Sequence, residues 1–366
     1  MKSEVRPLWI LGKALVLFVL INVIYAWIDP SLGKASTYNS LFPGRVRFPF
    51  GGAGDPYVVT VDDLDVLTAS HALSRSKAPG EYRVVLIGDS SIWGEKIAAE
   101  ESISEQWNSL DTRCNDREIR FYNLGYPHPS VIKDLIILDK AMEYEPDMVI
   151  WFVTLNTLIP RRFSPFLKAN SERATGILDD YDIPFSQEDA LAMKQSSFYE
   201  KTLVGKRSEL ARSIKLQVLG LLWLATGQDK RNSVRYPILS TDVEADLRYR
   251  NWEPGTNLEK KMLFNALDAG HKIAGSVPIL IVNEPIFIAA GQNSDIRYND
   301  IYPRWAFDEY REALAAKAQE MSWNYLDVWD AVPAGDFSDT GLHVSGEGER
   351  MLIARLNPVF WKIACP

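Results

Sequence analysis

Four short segments of this 366-residue chain carry residues whose types and order suit nucleophilic chemistry. Ser90 lies in a Gly-Asp-Ser sequence where an apolar run ends, and His343 lies in a polar loop with Asp339 four residues before it. A serine hydroxyl becomes nucleophilic when a histidine takes its proton, and a carboxylate on the other ring nitrogen orients that histidine. These three residues are the candidate nucleophile, general base and orienting acid.

Two further segments carry donors suited to a tetrahedral oxyanion. The backbone amide of Gly125 follows a second apolar run, and the side-chain amide of Asn156 follows a third. Because open α/β folds bind ligands at the carboxyl ends of their parallel strands, we expect both donors near Ser90, whose own amide is the third donor. Loss of one such donor typically costs about 2.7 to 4 kcal/mol of transition-state stabilisation.

The elements that must position these residues are indicated by five short runs rich in β-branched or aromatic residues. They cover 82–88, 119–124, 148–153, 277–282 and 324–329. Such runs are typical of strands buried on both faces of a parallel sheet. Helical patterns alternate with them at 98–110, 131–144, 304–321 and 346–361. The alternation predicts an α/β fold with a three-layer αβα core.

The N-terminal region predicts a membrane anchor. Residues 8–28 are mainly apolar, and Lys13 is their one charged residue. A helix of this length measures about 31 Å, the hydrocarbon thickness of a bilayer. The run is longer than a signal-peptide core and no small-x-small site follows, so an uncleaved anchor over 1–28 is favoured. A cleaved signal peptide and a buried core helix are the alternatives. Basic residues before the run favour a cytoplasmic N-terminus, which places a single-pass protein's main domain outside the cytoplasm.

The rest of the chain divides into three parts. Residues 29–80 are rich in Pro, Gly, Ser and Asn near the anchor and form a juxtamembrane connector. The main domain comprises 81–157 and 276–362. The intervening 158–275 is too long for a plain connection and is interpreted as an insertion or cap. Within it, the apolar run at 216–227 follows a basic flank, which is compatible with a helix in the membrane interface or with one packed on the core.

The composition excludes several other classes of protein. The chain has 48 acidic and 40 basic residues, a net charge of −8, and no basic cluster, which argues against a nucleic-acid partner. No group of His, Cys, Asp and Glu has metal-ligand spacing, so neither a metal nor a cofactor is expected. Two cysteines are too few for a zinc ribbon and leave one long-range disulfide as an option.

Taken together, these motifs resemble those of the SGNH, or GDSL-type, hydrolase family. The matching blocks are Gly88-Asp89-Ser90 with Gly94, Asn123-Leu124-Gly125, Thr154-Leu155-Asn156-Thr157, and Asp339 to His343. The resemblance implies a flavodoxin-like sheet in the order 2-1-3-4-5 and metal-free ester hydrolysis or acyl transfer on lipids and carbohydrates. The anchor, connector and cap further resemble membrane-anchored SGNH proteins of bacterial envelopes.

Two positions depart from the family's pattern. The asparagine block usually reads Gly-x-Asn-Asp, but here Thr154 and Thr157 flank the asparagine, so Asn156 is supported differently. The family's aspartate usually stands three residues before the histidine, where this chain has Thr340. Either the loop bulges to bring Asp339 to the histidine, or the site works as a Ser-His dyad.

Four further residues are candidates for a role in the fold or the site. In the implied strand order, the first and last core helices lie side by side, so Cys114 and Cys365 could form a disulfide in an oxidising compartment. Asp89 and His128 follow the first two strands and are candidates for substrate contact.

Two functional hypotheses follow. The first is a membrane-anchored serine esterase or O-acyltransferase that acts, without a cofactor, on acyl esters of cell-envelope polysaccharide or lipid. The second is a catalytically inactive SGNH-like subunit with a structural or binding role; protein partners are not predicted. A TIM-barrel glycosidase using Glu284 would need eight βα units, of which five are present. His71 and His271 are expected at the surface.

Overall fold

The computed structural model describes residues 6–30, 36–41, 44–50, 59–160, 165–184, 197–226 and 239–365. The gaps fall in the predicted anchor, connector and insertion and at the C-terminal residue. Those parts of the three predicted segments therefore lie outside the described residues.

A mostly parallel sheet forms the centre of the fold. Its strands in chain order are β1 (Glu81–Ile87), β2 (Arg113–Cys114), β3 (Arg117–Asn123), β4 (Met148–Val153), β5 (Ile279–Asn283) and β6 (Asn324–Asp327). In the described part of the chain their order is β2-β3-β1-β4-β5-β6, with β2 antiparallel to β3. Apart from β2, which was not predicted, this is the order 2-1-3-4-5. The predicted flavodoxin-like sheet is confirmed.

Helices surround the sheet and precede it. They are α1 (Pro7–Ile28), α2 (Thr37–Leu41), α3 (Leu64–Ala69), α4 (Ser90–Trp93), α5 (Ile103–Asn108), α6 (Val131–Met142), α7 (Leu155–Leu158), α8 (Pro165–Ala169), α9 (Ser171–Asp180), α10 (Phe198–Lys201), α11 (Arg207–Thr226), α12 (Phe264–Ala274), α13 (Arg304–Met321) and α14 (Gly346–Ala364).

The sheet is covered on both faces, which explains its continuous apolar strands. Side chains alternate along β1, so Val85 and Ile87 join one core with α6, α12 and α13, while Val84 and Leu86 join another with α5 and α14. All seven residues of β1 are buried. The predicted three-layer αβα architecture is confirmed.

One helix assigned to the insertion belongs to the core instead. α12 falls inside the predicted segment 158–275, but it packs along α6 and contacts Trp151 of β4 through Gly270. It supplies the crossover from β4 to the parallel strand β5, a connection that normally requires a helix. The additional segment between β4 and β5 therefore ends near 263.

α1 has the properties expected of a membrane span. Its most apolar window of 18 residues has a mean hydropathy of 2.2, and only 6% of that window is buried against the protein. Asn22 and Ala26, in its last two turns, are the buried positions. The helix is long and apolar enough to cross a bilayer.

A disulfide joins Cys114 to Cys365, whose Cα atoms are 5.9 Å apart. The bond links β2 to the residue that follows α14, across 251 residues of chain. It therefore ties the end of α14 to the edge of the sheet, on the face that α5 and α14 cover.

The packing of α12 gives a matched pair of glycine substitutions. A Cβ at Gly270 would overlap the indole of Trp151, whereas a Cβ at Gly176 in α9 would meet no atom within 4 Å. We expect Gly270→Ala to destabilise the protein by about 1 to 3 kcal/mol through overpacking. Gly176→Ala should stabilise it by about 0.5 to 1 kcal/mol, because alanine has less freedom in the unfolded chain. Thermal unfolding of both variants in detergent tests this; equal shifts in Tm would contradict the packing.

Candidate active site

Ser90 lies at the start of a single-turn helix directly after β1. The chain turns at Gly88, and Asp89 caps α4 by accepting a hydrogen bond from the Ser91 N–H at 2.9 Å. Gly94 ends the helix with a φ of 81°, which favours glycine. The first N–H groups of a helix lack partners within it, and among the described residues no acceptor contacts the Ser90 N–H.

A tight loop before α14 presents the histidine and the aspartate. The Ser338 N–H donates to the His343 carbonyl at 2.7 Å, and the Thr340 hydroxyl accepts from the His343 N–H at 3.3 Å. Thr340, which stands at the family's aspartate position, therefore shapes the loop. The extra residue of spacing is absorbed by this turn, and Asp339 reaches the imidazole.

Two hydrogen bonds connect these residues in series. Ser90 Oγ lies 2.8 Å from His343 Nε2, and Asp339 Oδ1 lies 2.8 Å from His343 Nδ1. When the carboxylate accepts the Nδ1 proton, Nε2 is left with a lone pair directed at the serine hydroxyl. The structure thus brings together the candidate nucleophile, base and orienting acid, which are separated by up to 253 residues.

The surroundings of the imidazole favour its charged form. Burial lowers the pKa of His343, but the hydrogen bond with Asp339 and the charges of Glu95, Asp339 and Asp89 outweigh burial and raise that pKa above 6.5. Glu95 Oε2 is 3.8 Å from Nε2. Proton transfer from a serine creates an imidazolium, and these carboxylates stabilise it.

Asn156 lies in the one-turn helix α7, at the end of β4 beside β1. The Thr154 N–H donates to the Thr157 hydroxyl at 3.2 Å, so the two threonines that depart from the family pattern close this turn. Tyr249 OH and Arg250 Nη2 donate to Asn156 Oδ1 at 2.7 and 3.3 Å. With Oδ1 held in this way, the amide NH₂ is the group left to donate to a ligand.

Gly125 requires a correction. Its N–H donates to Asn123 Oδ1 at 2.9 Å, so this amide is not a free donor for an oxyanion. The position needs glycine for a different reason, because a Cβ would collide with the backbone of Ile92 and Trp93. Gly125 therefore allows the loop after β3 to pack against the nucleophile helix.

The remaining polar candidates divide between buried and exposed positions. Asp89 is 2% exposed and its carboxylate caps α4, so the structure gives it a supporting position at the start of the helix. His128 is exposed in the loop after β3, with its ring 5.9 Å from that of Phe50. His71 is fully buried rather than at the surface, and burial lowers its pKa to about 4. His271 is partly buried.

A buried lysine beneath the nucleophile turn was not identified from the sequence. Lys133 Nζ donates to the carbonyls of Gly88 and Tyr126 at 2.8 and 2.6 Å, and it lies 3.0 Å from Asp134 Oδ1. The ammonium therefore joins the end of β1 to the loop after β3. The signal available in the sequence was a Lys-Asp pair inside the otherwise apolar start of α6.

Glu284 is the second buried group behind the site. The Ser91 hydroxyl donates to its carboxyl at 2.5 Å, and the side chain is 1% exposed. Burial, together with the nearby charge of Asp89, raises the pKa of Glu284 well above 4.5. The open, six-stranded sheet in the described part of the chain excludes the TIM-barrel interpretation of this residue.

Tyr249 and Arg250 could not have been found by motif. They belong to the segment between β4 and β5 and stand 93 and 94 residues from Asn156, whose amide they hold. Their contact with the site depends on tertiary packing alone.

The fold and the site together define a class of protein, the doubly wound α/β proteins that carry a Ser-His-Asp arrangement at the carboxyl ends of their parallel strands. No family model and no curated protein matches the sequence. Similar solved structures include a lipolytic G-D-S-L family protein from Veillonella parvula, with 12% identity, a TM-score of 0.36, and coverage of 76% of this chain and 97% of that one.

Two further similar structures carry esterase names. One is a carbohydrate acetylesterase family member from Sinorhizobium meliloti, with 13% identity, a TM-score of 0.34, and coverage of 77% of this chain and 99% of that one. The other is a putative arylesterase from Agrobacterium tumefaciens, with 12% identity, a TM-score of 0.35 and the same coverage.

The electrostatics of the site predict two histidines with opposite behaviour. We expect the His343 ring to titrate above pH 6.5 and the buried His71 ring to stay neutral down to about pH 4. Asp339→Asn should lower the His343 pKa, because it removes a negative charge and weakens the hydrogen bond. NMR titration of ring-labelled histidine in detergent measures both values.

The linked effect on stability follows from the sign of the shift. A folded pKa above the unfolded value means that the contribution of His343 to stability is fully present below pH 6.5. It is lost as the pH rises through the folded pKa. A His343 ring that titrates below 6.5 in the wild type would contradict this view of the site.

Proposed function

We propose that this protein is a membrane-anchored serine esterase or O-acyltransferase that acts on acyl esters of cell-envelope polysaccharide or lipid. The observation that carries the proposal is the series of two 2.8 Å hydrogen bonds from Ser90 through His343 to Asp339. A serine in such a series is activated for attack on a carbonyl carbon.

Each residue has a defined role in the proposed reaction. Ser90 Oγ attacks the acyl carbonyl while His343 Nε2 takes its proton, and Asp339 stabilises the resulting imidazolium. The tetrahedral intermediate collapses, His343 returns the proton to the leaving alkoxide, and the acyl group remains esterified to Ser90. Water or a sugar hydroxyl then attacks this ester with His343 again as the base.

The oxyanion would be held by the Ser90 N–H and the Asn156 NH₂. Both donors lie at the carboxyl edge of adjacent strands, since Ile87 of β1 is in register with Trp151 of β4. The Gly125 amide is left out of this assignment because Asn123 already accepts its hydrogen bond. The choice between hydrolysis and transfer depends on which acceptor reaches the acyl-enzyme.

The proposed location outside the cytoplasm rests on two observations. α1 is long and apolar enough to anchor the chain in a membrane. The Cys114–Cys365 disulfide is the kind of bond that persists in an oxidising, extracytoplasmic compartment. Both support a single-pass protein whose main domain faces away from the cytoplasm.

One observation favours the second candidate, an inactive SGNH-like subunit. The occupied Gly125 amide leaves two donors for the oxyanion where the family resemblance implies three. Reaction with a fluorophosphonate distinguishes the two candidates, because only an activated serine is labelled.

Labelling with a fluorophosphonate tests for an activated nucleophile. We expect purified wild-type protein to react, and Ser90→Ala and His343→Ala to lose labelling, because one lacks the attacking oxygen and the other its base. Ser109→Ala is the matched control, since the exposed Ser109 hydroxyl donates to the Gln106 carbonyl at the end of α5 and does not contact the site. Labelling should also rise with pH through the raised His343 pKa, because only the neutral imidazole accepts a proton. A folded wild type that never reacts would favour the inactive subunit.

A substitution in the segment between β4 and β5 tests the support of Asn156. Tyr249→Phe removes the hydroxyl that orients the amide, and we expect kcat for a soluble p-nitrophenyl ester to fall about tenfold, or roughly 1.4 kcal/mol, with KM little changed. Tyr298→Phe is the control, because its hydroxyl contacts Asp308. Equal activity of both variants would remove Asn156 from the oxyanion site.

A further inference from the structure

Helix α11 exposes an apolar stripe that the rest of the described protein does not cover. Ile214, Val218 and Leu222 are 56%, 54% and 53% exposed, and their spacing of four residues places them on one face of the helix. Leu216 and Trp223 are buried on the opposite face. α11 is therefore held to the protein by one side and presents three large aliphatic side chains on the other.

The end of α1 is attached to the segment that leads into α11. The Val204 N–H donates to Asn22 Oδ1 at 3.1 Å, and Lys206 Nζ lies 2.6 Å from Asp29 Oδ1. Lys201 lies 3.5 Å from the other oxygen of Asp29. Asp29 directly follows α1, so it marks the boundary between the membrane span and the rest of the protein. α11 begins at that boundary.

The same region carries the residue types that favour a bilayer interface. Phe198 and Tyr199 of α10 are each 58% exposed next to the end of α1, and aromatic rings are enriched at the headgroup level. Residues 197–226 contain five basic and two acidic residues. Lys201 and Lys206 face Asp29, and Arg212 faces Asp62. The other two basic residues, Arg207 and Lys215, are exposed on α11. An apolar stripe beside basic side chains is the pattern of a helix that lies on an anionic membrane surface.

We infer that α11 lies in the headgroup region of the membrane that α1 spans, with Ile214, Val218 and Leu222 in contact with lipid and Arg207 and Lys215 next to anionic headgroups. This inference rests on the membrane anchoring by α1 that is part of the proposed function. It is independent of the proposed chemistry at Ser90. Contact with a bilayer at two places would fix the orientation of the domain, which a single span leaves free to rotate.

Depth-dependent quenching in the full-length protein tests the inference. A cysteine is introduced as Val218→Cys, labelled with an environment-sensitive fluorophore such as NBD, and reconstituted into nanodiscs of phosphatidylcholine with 30% phosphatidylglycerol. The native cysteines are joined as a disulfide and do not react. Lipid carrying a nitroxide on carbon 5 of its acyl chain is the quencher.

The matched control is Leu110→Cys. Leu110 is also 53% exposed, but it follows α5 on the opposite layer of the sheet from the core that α11 joins. We expect blue-shifted emission at 218 and quenching at least threefold stronger than at 110. The difference should shrink in nanodiscs without phosphatidylglycerol.

Three results would overturn the inference. Equal quenching at 218 and 110 would mean that α11 does not touch lipid. A blue shift at 218 that appears in detergent and grows with protein concentration would assign the stripe to a second copy of the chain. Extraction of the full-length chain from membranes by alkaline carbonate would show that α1 does not span the bilayer, and the inference would then lose its basis.

A second variant separates this inference from the proposed enzyme activity. Val218→Glu combined with Leu222→Glu changes only exposed positions, so the fold and fluorophosphonate labelling in detergent should be unchanged. The stripe inference predicts that a reporter at Ile214→Cys loses its quenching in this background. Quenching that persists would contradict lipid contact by the stripe, whereas loss of labelling in the wild type would bear on Ser90 alone.

Discussion

The buried ammonium of Lys133 holds together the part of the molecule on which the site depends. It donates to the ends of two neighbouring segments, at Gly88 and Tyr126, and Asp134 balances its charge. A buried charge without partners is costly, so this arrangement, in which Lys133 has two carbonyls and a carboxylate around it, is favoured over one that leaves it unpaired. The turn that carries Ser90 is thereby fixed from below, while Ser91 and Glu284 fix it from the side. Because the turn is fixed in advance, the Ser90 hydroxyl is held within hydrogen-bond distance of the His343 imidazole.

The five parallel strands of the sheet could be predicted from the sequence, because a strand buried on both faces is a short, continuous run of apolar residues. β2 escaped prediction, since two residues carry no periodicity, and α12 was assigned to the insertion because chain length alone gave no end to that segment. Ser90, Asp339 and His343 could be proposed because each follows a recognisable strand. Tyr249 could not, since nothing local relates it to Asn156. Gly125 was misassigned because the acceptor of its N–H is a side chain two residues away.

The segment between β4 and β5 serves two ends of the protein. Its first described part, with α10 and α11, contacts the base of α1 through Asn22 and Asp29. Its second part returns over the sheet and places Tyr249 against Asn156. Because this segment contacts both α1 and the candidate site, the proposed anchoring of α1 in a membrane would also set the position of the site relative to that membrane.

The connector provides a second link between these two regions. Arg45 stacks over Trp223 of α11 at 4.3 Å, and Arg47 stacks over Trp93 of the nucleophile helix at 4.3 Å and donates to the Gly94 carbonyl at 2.8 Å. Two residues of extended chain span only about 7 Å, so this strap leaves little slack. In the proposed orientation, this short connection would fix the distance between Ser90 and the lipid surface. Acyl groups attached farther from the membrane than that distance would have to approach the membrane before they could react.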